Sequence, residues 1–390
     1  MGKKSANLEL PSQGFVFWPV GTGDSTTIAV TEDVVLQVDL RHMKAADEED
    51  DPHTPIVDRL VELLPQIDEK PYLSVFALTH PDEDHCLGFA DLLEQVNIGE
   101  LWFTPRIFRE YTKDLCDDAK AFRKEAKRRV KETICQGEDT TSGDRVRIIG
   151  YDDLLEEKEY KDFPSDRLTI PGNEILDLDG EDYCDYFRAF VHAPFKDDAD
   201  SERNDTSLAL QVTLYQGDTS ARALLLGDLC YPIIKRIFDR SEADDLEWNV
   251  MLAPHHCSKS VMYWQDEDED EESLKQDILD DMEEAAVDPG YIVASSEPIP
   301  ASNKSGDNPP HAKAKRRYEE IAPDEFLCTQ EHPNEEAPEP IIFSLDDGDF
   351  EYIQPGSKES KNENDLANSV AVARGDKEPP TERIGFGRSL

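Results

Sequence analysis

Positive charge is what this chain has least of. Lysine and arginine number 41 against 87 aspartates and glutamates, for a formal net charge of −46. A surface of that sign repels a duplex or an RNA strand, so any nucleic-acid contact needs a local basic patch, bound metal or a partner protein. Halophilic adaptation is a second source of such a charge. Cysteine is sparse and unpatterned. The seven cysteines (86, 116, 135, 184, 230, 257 and 328) are odd in number and form no C-x-x-C. This excludes a secreted disulfide framework and points to reduced thiols in the cytoplasm. No apolar run approaches a membrane span, and the first residues lead into no apolar signal core, so no membrane contact is expected. No repeat of fixed period appears. Yet 38% of the 390 residues are hydrophobic, enough for one large core or two ordinary ones.

The apolar segments read as alternating strands and helices. Gly14–Val20, Thr26–Val30 and Val34–Leu40 are strands, with a tight Gly21-Thr-Gly-Asp-Ser25 turn after the first. Ile56–Ile67 has helical spacing through Ile56, Leu60, Leu63 and Leu64. Leu73–Thr79 is a strand, followed by the loop His80-Pro-Asp-Glu-Asp-His85 and a helix over 88–96. Further strands are expected at 101–105, 186–191, 207–215, 221–226, 248–253 and 291–296. Helices are expected at 231–240 and 311–321, and a hairpin at 340–354. Residues 266–284 hold twelve acids and one lysine and read as a mobile loop leading to an acidic helix. Past Pro355 hydrophobicity collapses, so 356–390 reads as a disordered tail.

Thr112–Gln136 carries an apolar stripe at helical spacing. Lys113, Lys120, Lys124, Lys127 and Lys131 line another face, with Arg123, Arg128 and Arg129 beside them. One reading is a solvated face balancing neighbouring acids. The other is a handle for phosphates or an acidic partner.

The chemistry concentrates where strands end. His80, Asp82, Asp84 and His85 offer four ligands within six residues, and a loop at the end of a buried strand can aim them at one place. Imidazole and carboxylate donors suit Zn, Mn or Fe. Asp39 ends a neighbouring strand. Asn204-Asp205, Asp228 and His255-His256 mark other strand ends, and Asp228 on a Gly-Asp corner can bridge two ions. Lys259 can reach a phosphate or serve only as a surface charge. His311, after a Gly/Pro loop, can act as general acid. His192 reads as a satisfied core histidine, and His42, His53 and His332 as solvated.

These motifs resemble the metallo-β-lactamase fold, and within it the soluble domain of ComEC-type competence proteins. His80-x-Asp82-x-Asp84-His85 is similar to H-x-H-x-D-H, with Asp for the second His. Val20-Gly-Thr-Gly-Asp-Ser25, Thr79-His-Pro-Asp-Glu-Asp-His85, Asn204-Asp-Thr-Ser-Leu-Ala-Leu210, Leu224-Leu-Leu-Gly-Asp228 and Pro254-His-His-Cys-Ser-Lys-Ser260 follow the branch's motifs in order. Cys257 takes the place of a glycine, and the stretch at about 106–185 has no counterpart.

The resemblance implies an α/β fold, a four-layer αβ/βα sandwich over 1–355 with a helical insertion at about 106–185. It implies two divalent metal ions, Zn or Mn. His80 and Asp82 would hold the first, and Asp84 and His85 the second. Asp228 would bridge, His255 or its neighbour His256 would complete the second site, and Asp205 would replace the usual histidine of the third motif. The implied activity is a phosphodiesterase or nuclease using metal-bound hydroxide, with Asp84 and His311 as catalytic residues. Lys259, Lys120, Lys124 and Lys127 would contact the substrate, a nucleic acid or nucleotide. The alternatives are an acidic interaction subunit, docking a basic protein on its surface or C-terminal tail, and a hydrolase of the same fold cutting an ester, thioester or amide.

Overall fold

Two sheets share one apolar core. The computed structural model describes residues 8–355, except 49, 267–268 and 304–307. Residues 1–352 cluster as one unit and 353–390 as another, so the tail expected at 356–390 lies outside the described residues. The larger sheet begins with an antiparallel meander, β1 (Gly14–Phe17), β2 (Thr26–Thr31) and β3 (Val34–Val38). It continues in parallel through β4 (Lys70–Leu78), β5 (Asn97–Phe103), β6 (Arg145–Ile149) and β7 (Leu168–Thr169). The smaller sheet holds β8 (Glu174–Ile175), β9 (Phe187–Ala193), β10 (Ala209–Gln216), β11 (Thr219–Leu225), β12 (Trp248–Leu252), β13 (Ala286–Ala294) and β14 (Glu325–Cys328). From β11 to β14 its strands are parallel. A C-terminal hairpin, β15 (Ile341–Asp346) and β16 (Asp349–Tyr352), returns to pair with β1.

The strands alternate their apolar residues between two environments, as the two-residue period demands. Ile28, Leu36, Val75 and Ala77 of the larger sheet meet Val191, Leu210, Val212, Val250 and Val293 of the smaller in one buried cluster. The residues between them face helices. Met251, Leu224 and Ile292 pack with α6 (Tyr231–Arg240), α7 (Gln276–Glu284) and α8 (Ala312–Ile321) through Ile234, Ile237, Ile278, Met282 and Tyr318. On the larger sheet, Phe76 stands 5.0 Å from Phe89 of α3 (Phe89–Gln95) and 5.9 Å from Phe122 of α5 (Asp117–Gln136). Other helices are α1 (Ile56–Leu63), α2 (Glu83–Cys86) and α4 (Arg106–Arg109), with single helical turns at Ala243–Leu246 and Pro254–Cys257.

The stretch expected to be a helical insertion is only partly helical. Beyond α4 and α5 it supplies β6 and β7 to one sheet and β8 to the other. Arg145-Val-Arg-Ile-Ile149 hides its strand character in two arginines. Arg147 is buried but bonded by both carboxylate oxygens of Asp177, at 2.7 and 2.6 Å. The helix expected over 112–136 is a 3₁₀ turn, Thr112–Asp114, then α5 proper, because Cys116 caps it: its Sγ accepts from the Ala119 N–H at 3.3 Å. The loop expected from residue 266 is closed by a short pairing of Tyr263–Trp264 with Ser273–Leu274. These interruptions aside, the chain places the C-terminal ends of β3, β4, β11 and β12 at one edge, where parallel sheets usually bind ligands.

Candidate metal centre

Four buried side chains, Asp24, His85, Asp228 and His256, bring ligand atoms within 4.8 Å of one another and can hold a metal ion. Each comes from a different strand end. Asp24 follows the glycine turn between β1 and β2. Gly23 is needed there because a Cβ would stand 2.6 Å from the Asp84 carbonyl and 2.2 Å from Arg41. That close approach lets the Asp24 N–H donate to the Asp84 carbonyl at 3.2 Å, locking the turn to the loop after β4. Asp228 follows Gly227 at the end of β11. His256 follows β12.

Second contacts fix these groups. Asp39 ends β3 and accepts from the Thr79 N–H at 2.8 Å and its hydroxyl at 2.6 Å. The same carboxylate accepts from the Nδ1 N–H of His85 at 2.7 Å, which aims the other ring nitrogen, Nε2, into the cluster. Nε2 of His85 lies 3.3 Å from Asp228 Oδ1 and 3.2 Å from His256 Nε2. His256 Nε2 is 3.4 Å from both Asp228 and Asp84, and its Nδ1 is 3.3 Å from Asp24. His80 Nε2 stands 3.6 Å from Asp82 and 3.8 Å from Asp228, and His255 Nε2 is also 3.8 Å from Asp228.

Donor atoms around a zinc ion with bonds of roughly 2.0–2.1 Å stand roughly 3.4 Å apart. The cluster's separations match that spacing better than they match hydrogen bonds. His80 Nε2, His255 Nδ1, His256 Nδ1 and Asp228 Oδ1 are buried with no hydrogen-bond partner among the described residues. Unpaired buried polar atoms are costly, about 1–3 kcal/mol each, unless something binds them. The donor set, imidazole and carboxylate, fits a divalent transition metal.

The backbone is strained here too. His255, His256 and Cys257 hold φ values of 51°, 53° and 64° in succession. Such left-handed residues cost roughly 1–2 kcal/mol each without glycine, and that strain gathers at functional sites. The turn directs His256, rather than only His255, at His85 and Asp84.

Electrostatics follow from this packing. Burial lowers the His85 imidazole, but Asp228 and Asp39 outweigh it and hold the ring well above its usual pKa. Burial is likewise outweighed at His256, by Asp228 and Asp24. His80, buried beside His85, is pushed down. Burial raises Asp84, yet its contact with His256 and the charge of His85 hold it well below the carboxylate range.

Other candidate residues have other neighbours. Asp82 receives the Arg203 guanidinium at 2.6 Å, and Arg203 also donates to the Asp114 carbonyl. Asp205 lies 3.6 Å from the Cys230 thiol, outside the four-residue group, and burial raises its carboxyl. His311 is buried at the start of α8, and its Nδ1 accepts from the Lys259 N–H at 3.2 Å. The Lys259 ammonium pairs with Glu272 at 2.7 Å and Lys120 with Asp117 at 2.8 Å. Lys124 and Lys127 are exposed on α5. His192 is buried between Ser241 and the Asp245 carbonyl, as a core histidine should be, and burial lowers it to about 4. Two of the histidines expected to be solvated, His42 and His332, are buried; His53 sits between Asp51 and Glu297 at 2.8 Å from each.

Two residues near the site escaped the sequence reading as site components. Asp24 lies in the Gly21–Ser25 turn, and its Gly-Thr-Gly-Asp corner is the available signal. Arg203 had no signal, since only the fold brings it to Asp82.

No family model and no curated protein matches the chain. Among solved structures, the chain is similar to the metallo-beta-lactamase SMB-1 bound to 2-mercaptoethanesulfonate, at 10% identity over 62% of this chain and 78% of that one. The TM-score is 0.29, too low to bear on the site. Among the described residues, no helix is long and apolar enough to cross a membrane.

Proposed function

We propose that the protein is a metal-dependent hydrolase of the metallo-β-lactamase type that cuts a phosphodiester, in a nucleic acid or a nucleotide, with two divalent ions, Zn or Mn. One observation carries this reading. Four histidines from two loops direct ring nitrogens at a single buried carboxylate, Asp228, at 3.3–3.8 Å. A core has no use for such a set, and a metal does. The shared core between the sheets and the helices on their other faces support the four-layer αβ/βα arrangement. The ordered motifs at 20–25, 79–85, 204–210, 224–228 and 254–260 support the ComEC-type branch.

His80, Asp82, Asp84, His85, Asp228, His255 and His256 would hold the ions, joined by Asp24. Bound there, divalent ions supply Lewis-acid charge and lower the pKa of a bound water. The chain's own residues do the rest. Asp39 fixes the tautomer of His85. Asp84, held well below the ordinary carboxylate range, is a poor proton acceptor at neutral pH, so its contribution is charge and ligation. His311 accepts at Nδ1, which leaves the proton of its neutral form on Nε2, and its proposed role is to pass that proton to a leaving oxygen.

The test is metal analysis of the purified protein with turnover of bis-p-nitrophenyl phosphate, for wild type and Asp228→Asn. Stoichiometric metal and turnover, both lost in the variant, are expected. Wild type that holds no metal and turns over nothing would end the hydrolase reading. Turnover of p-nitrophenyl acetate alone would move the chemistry to a carboxylic ester.

A further inference from the structure

The basic helix α5 borders a groove. A cavity of about 930 Å³ opens between α4, α5 and the turn at 157–160. Six cations line it (Arg109, Lys120, Arg123, Lys124, Lys127 and Lys131) against two carboxylates, Glu110 and Glu157. Both carboxylates are engaged. Glu157 pairs with Arg109 at 2.9 Å, and Glu110 with Arg106 at 2.5 Å and Arg203 at 3.1 Å. Lys120 has Asp117, and Arg123 donates to the Glu110 carbonyl at 3.0 Å and the Thr112 hydroxyl at 2.7 Å.

Lys124, Lys127 and Lys131 remain. All three are exposed, and none makes an ion pair or hydrogen bond with a described residue. In a chain of net charge −46, a face that merely balanced local acids would have found them. These lysines recur at i, i+3 and i+7, so they share one side of the helix over about 10 Å. A stacked nucleic-acid strand presents a phosphate about every 3.4 Å, so the row faces three or four of them. Lysine is a point charge without the planar fork that reads base edges, which fits backbone contact without sequence preference.

The helix also begins beside the strand-end cluster. Cys116, its cap, has its Sγ 3.6 Å from that of Cys86, next to His85. Asp118 accepts from the Gly88 and Ala90 N–H groups at 3.0 and 2.9 Å. Lys124 lies two turns further on, about 12 Å along the axis from Cys116.

We propose that Lys124, Lys127 and Lys131 form a backbone-binding site for single-stranded nucleic acid, leading along α5 toward the cluster. The proposal deepens the phosphodiesterase reading and rests on it only for the strand's being substrate; binding stands by itself.

The experiment measures affinity of the full chain, with a chelator present, for a labelled 20-nucleotide single strand across a salt series. Wild type should bind at 50 mM salt. The variant K124A/K127A/K131A should bind at least tenfold more weakly there. Its slope of log K against log salt should be shallower by about 2, near 0.7 per lost phosphate contact. The triple lysine-to-arginine variant should keep the wild-type slope. Equal affinity and slope in wild type and the alanine variant would overturn the proposal, as would absence of binding at 50 mM salt. A polyglutamate peptide that binds in a lysine-dependent way where the strand does not would assign the groove to an acidic protein and overturn it equally. Turnover of bis-p-nitrophenyl phosphate reads the hydrolase proposal by itself. Its absence alongside lysine-dependent strand binding sinks the hydrolase alone; its presence alongside lysine-independent binding sinks the groove alone.

Discussion

At the strand ends nearly every charge meets an opposite one, while on α5 a row of three meets none among the described residues. Asp228 touches His80, His85, His255 and His256, and His85 is held by Asp39 as well. Lys124, Lys127 and Lys131 extend into solvent. In a buried cluster each group determines the state of its neighbours, so removing one leaves the others uncompensated. In an exposed row the contributions are separate, weak and screened by salt. The difference teaches where single substitutions should be severe and where they should barely register.

The severest should be Asp228→Asn. It removes the carboxylate that does most to hold the His85 and His256 rings above their usual pKa in the metal-free chain, leaving His85 with Asp39 and His256 with Asp24 and Asp84. Breaking a buried pair this way costs on the order of 3–5 kcal/mol. We expect loss of bound metal, a fall in phosphodiester turnover of at least about 10³-fold and a lowered melting temperature. An Asp228→Asn protein that melts with wild type and keeps its metal would show that the cluster is not mutually determined.

Next in size is the coupling of metal, pH and stability. The folded-state pKa values of His85 and His256 are raised. Their stabilisation is therefore full below the unfolded histidine value of about 6.5 and is lost as pH rises through the raised folded values. Chelator-treated protein should melt at progressively lower temperature as pH rises above neutral. Metal needs unprotonated imidazole, so its affinity should rise over the same range. Melts with chelator and with added zinc, from pH 6 to pH 9, should diverge. Parallel curves would mean that these rings do not carry the protons assigned to them.

Asp39→Asn should be milder. It keeps an acceptor for Thr79 but removes the charge that orients His85. Loss of such a support typically costs about 10–100-fold in metal affinity or activity. Titration of chelator-stripped protein with zinc reads the effect directly, and an unchanged affinity would leave Asp39 with a folding role only.

The two regions also differ in how far the sequence exposed them. The strand ends were legible because an apolar run that stops at Asp or His breaks the pattern a core would keep. The spacing within His80–His85 did the rest. It could not show that three left-handed residues at 255–257 turn His256 toward His85, since that depends on backbone angles rather than residue types. Asp24 was hidden by its motif, where the glycines explain the turn without giving the carboxylate a task. Across 106–185 the helical stripe through Phe122, Ala126 and Val130 was readable. Over 146–177 the sequence offers an irregular stretch with short strands but not their bounds, because β7 and β8 have two residues each and β6 carries Arg147 in its interior, too little alternation to place them. Their pairing is set by the sheets they join.

The smallest effect should come from the lysine row's contribution to folding, and it can be contrasted with a cation on the same helix. Arg129 is buried and donates to the Gly99 and Ile98 carbonyls at 3.0 Å each and to Glu125 at 2.8 Å. Arg129→Ala removes a buried guanidinium and its three hydrogen bonds, although Glu125 keeps Arg128 and the Gly99 carbonyl keeps the Gly143 N–H, so it should cost on the order of 2–4 kcal/mol. Lys127→Ala, two residues earlier, removes a side chain that touches no counter-charge among the described residues and leaves a good helix former, so its effect should stay within about 0.5 kcal/mol. Urea unfolding of the two variants measures both. If Lys127→Ala destabilises as much as Arg129→Ala, the row is part of the scaffold, and its exposure has another explanation than a waiting ligand.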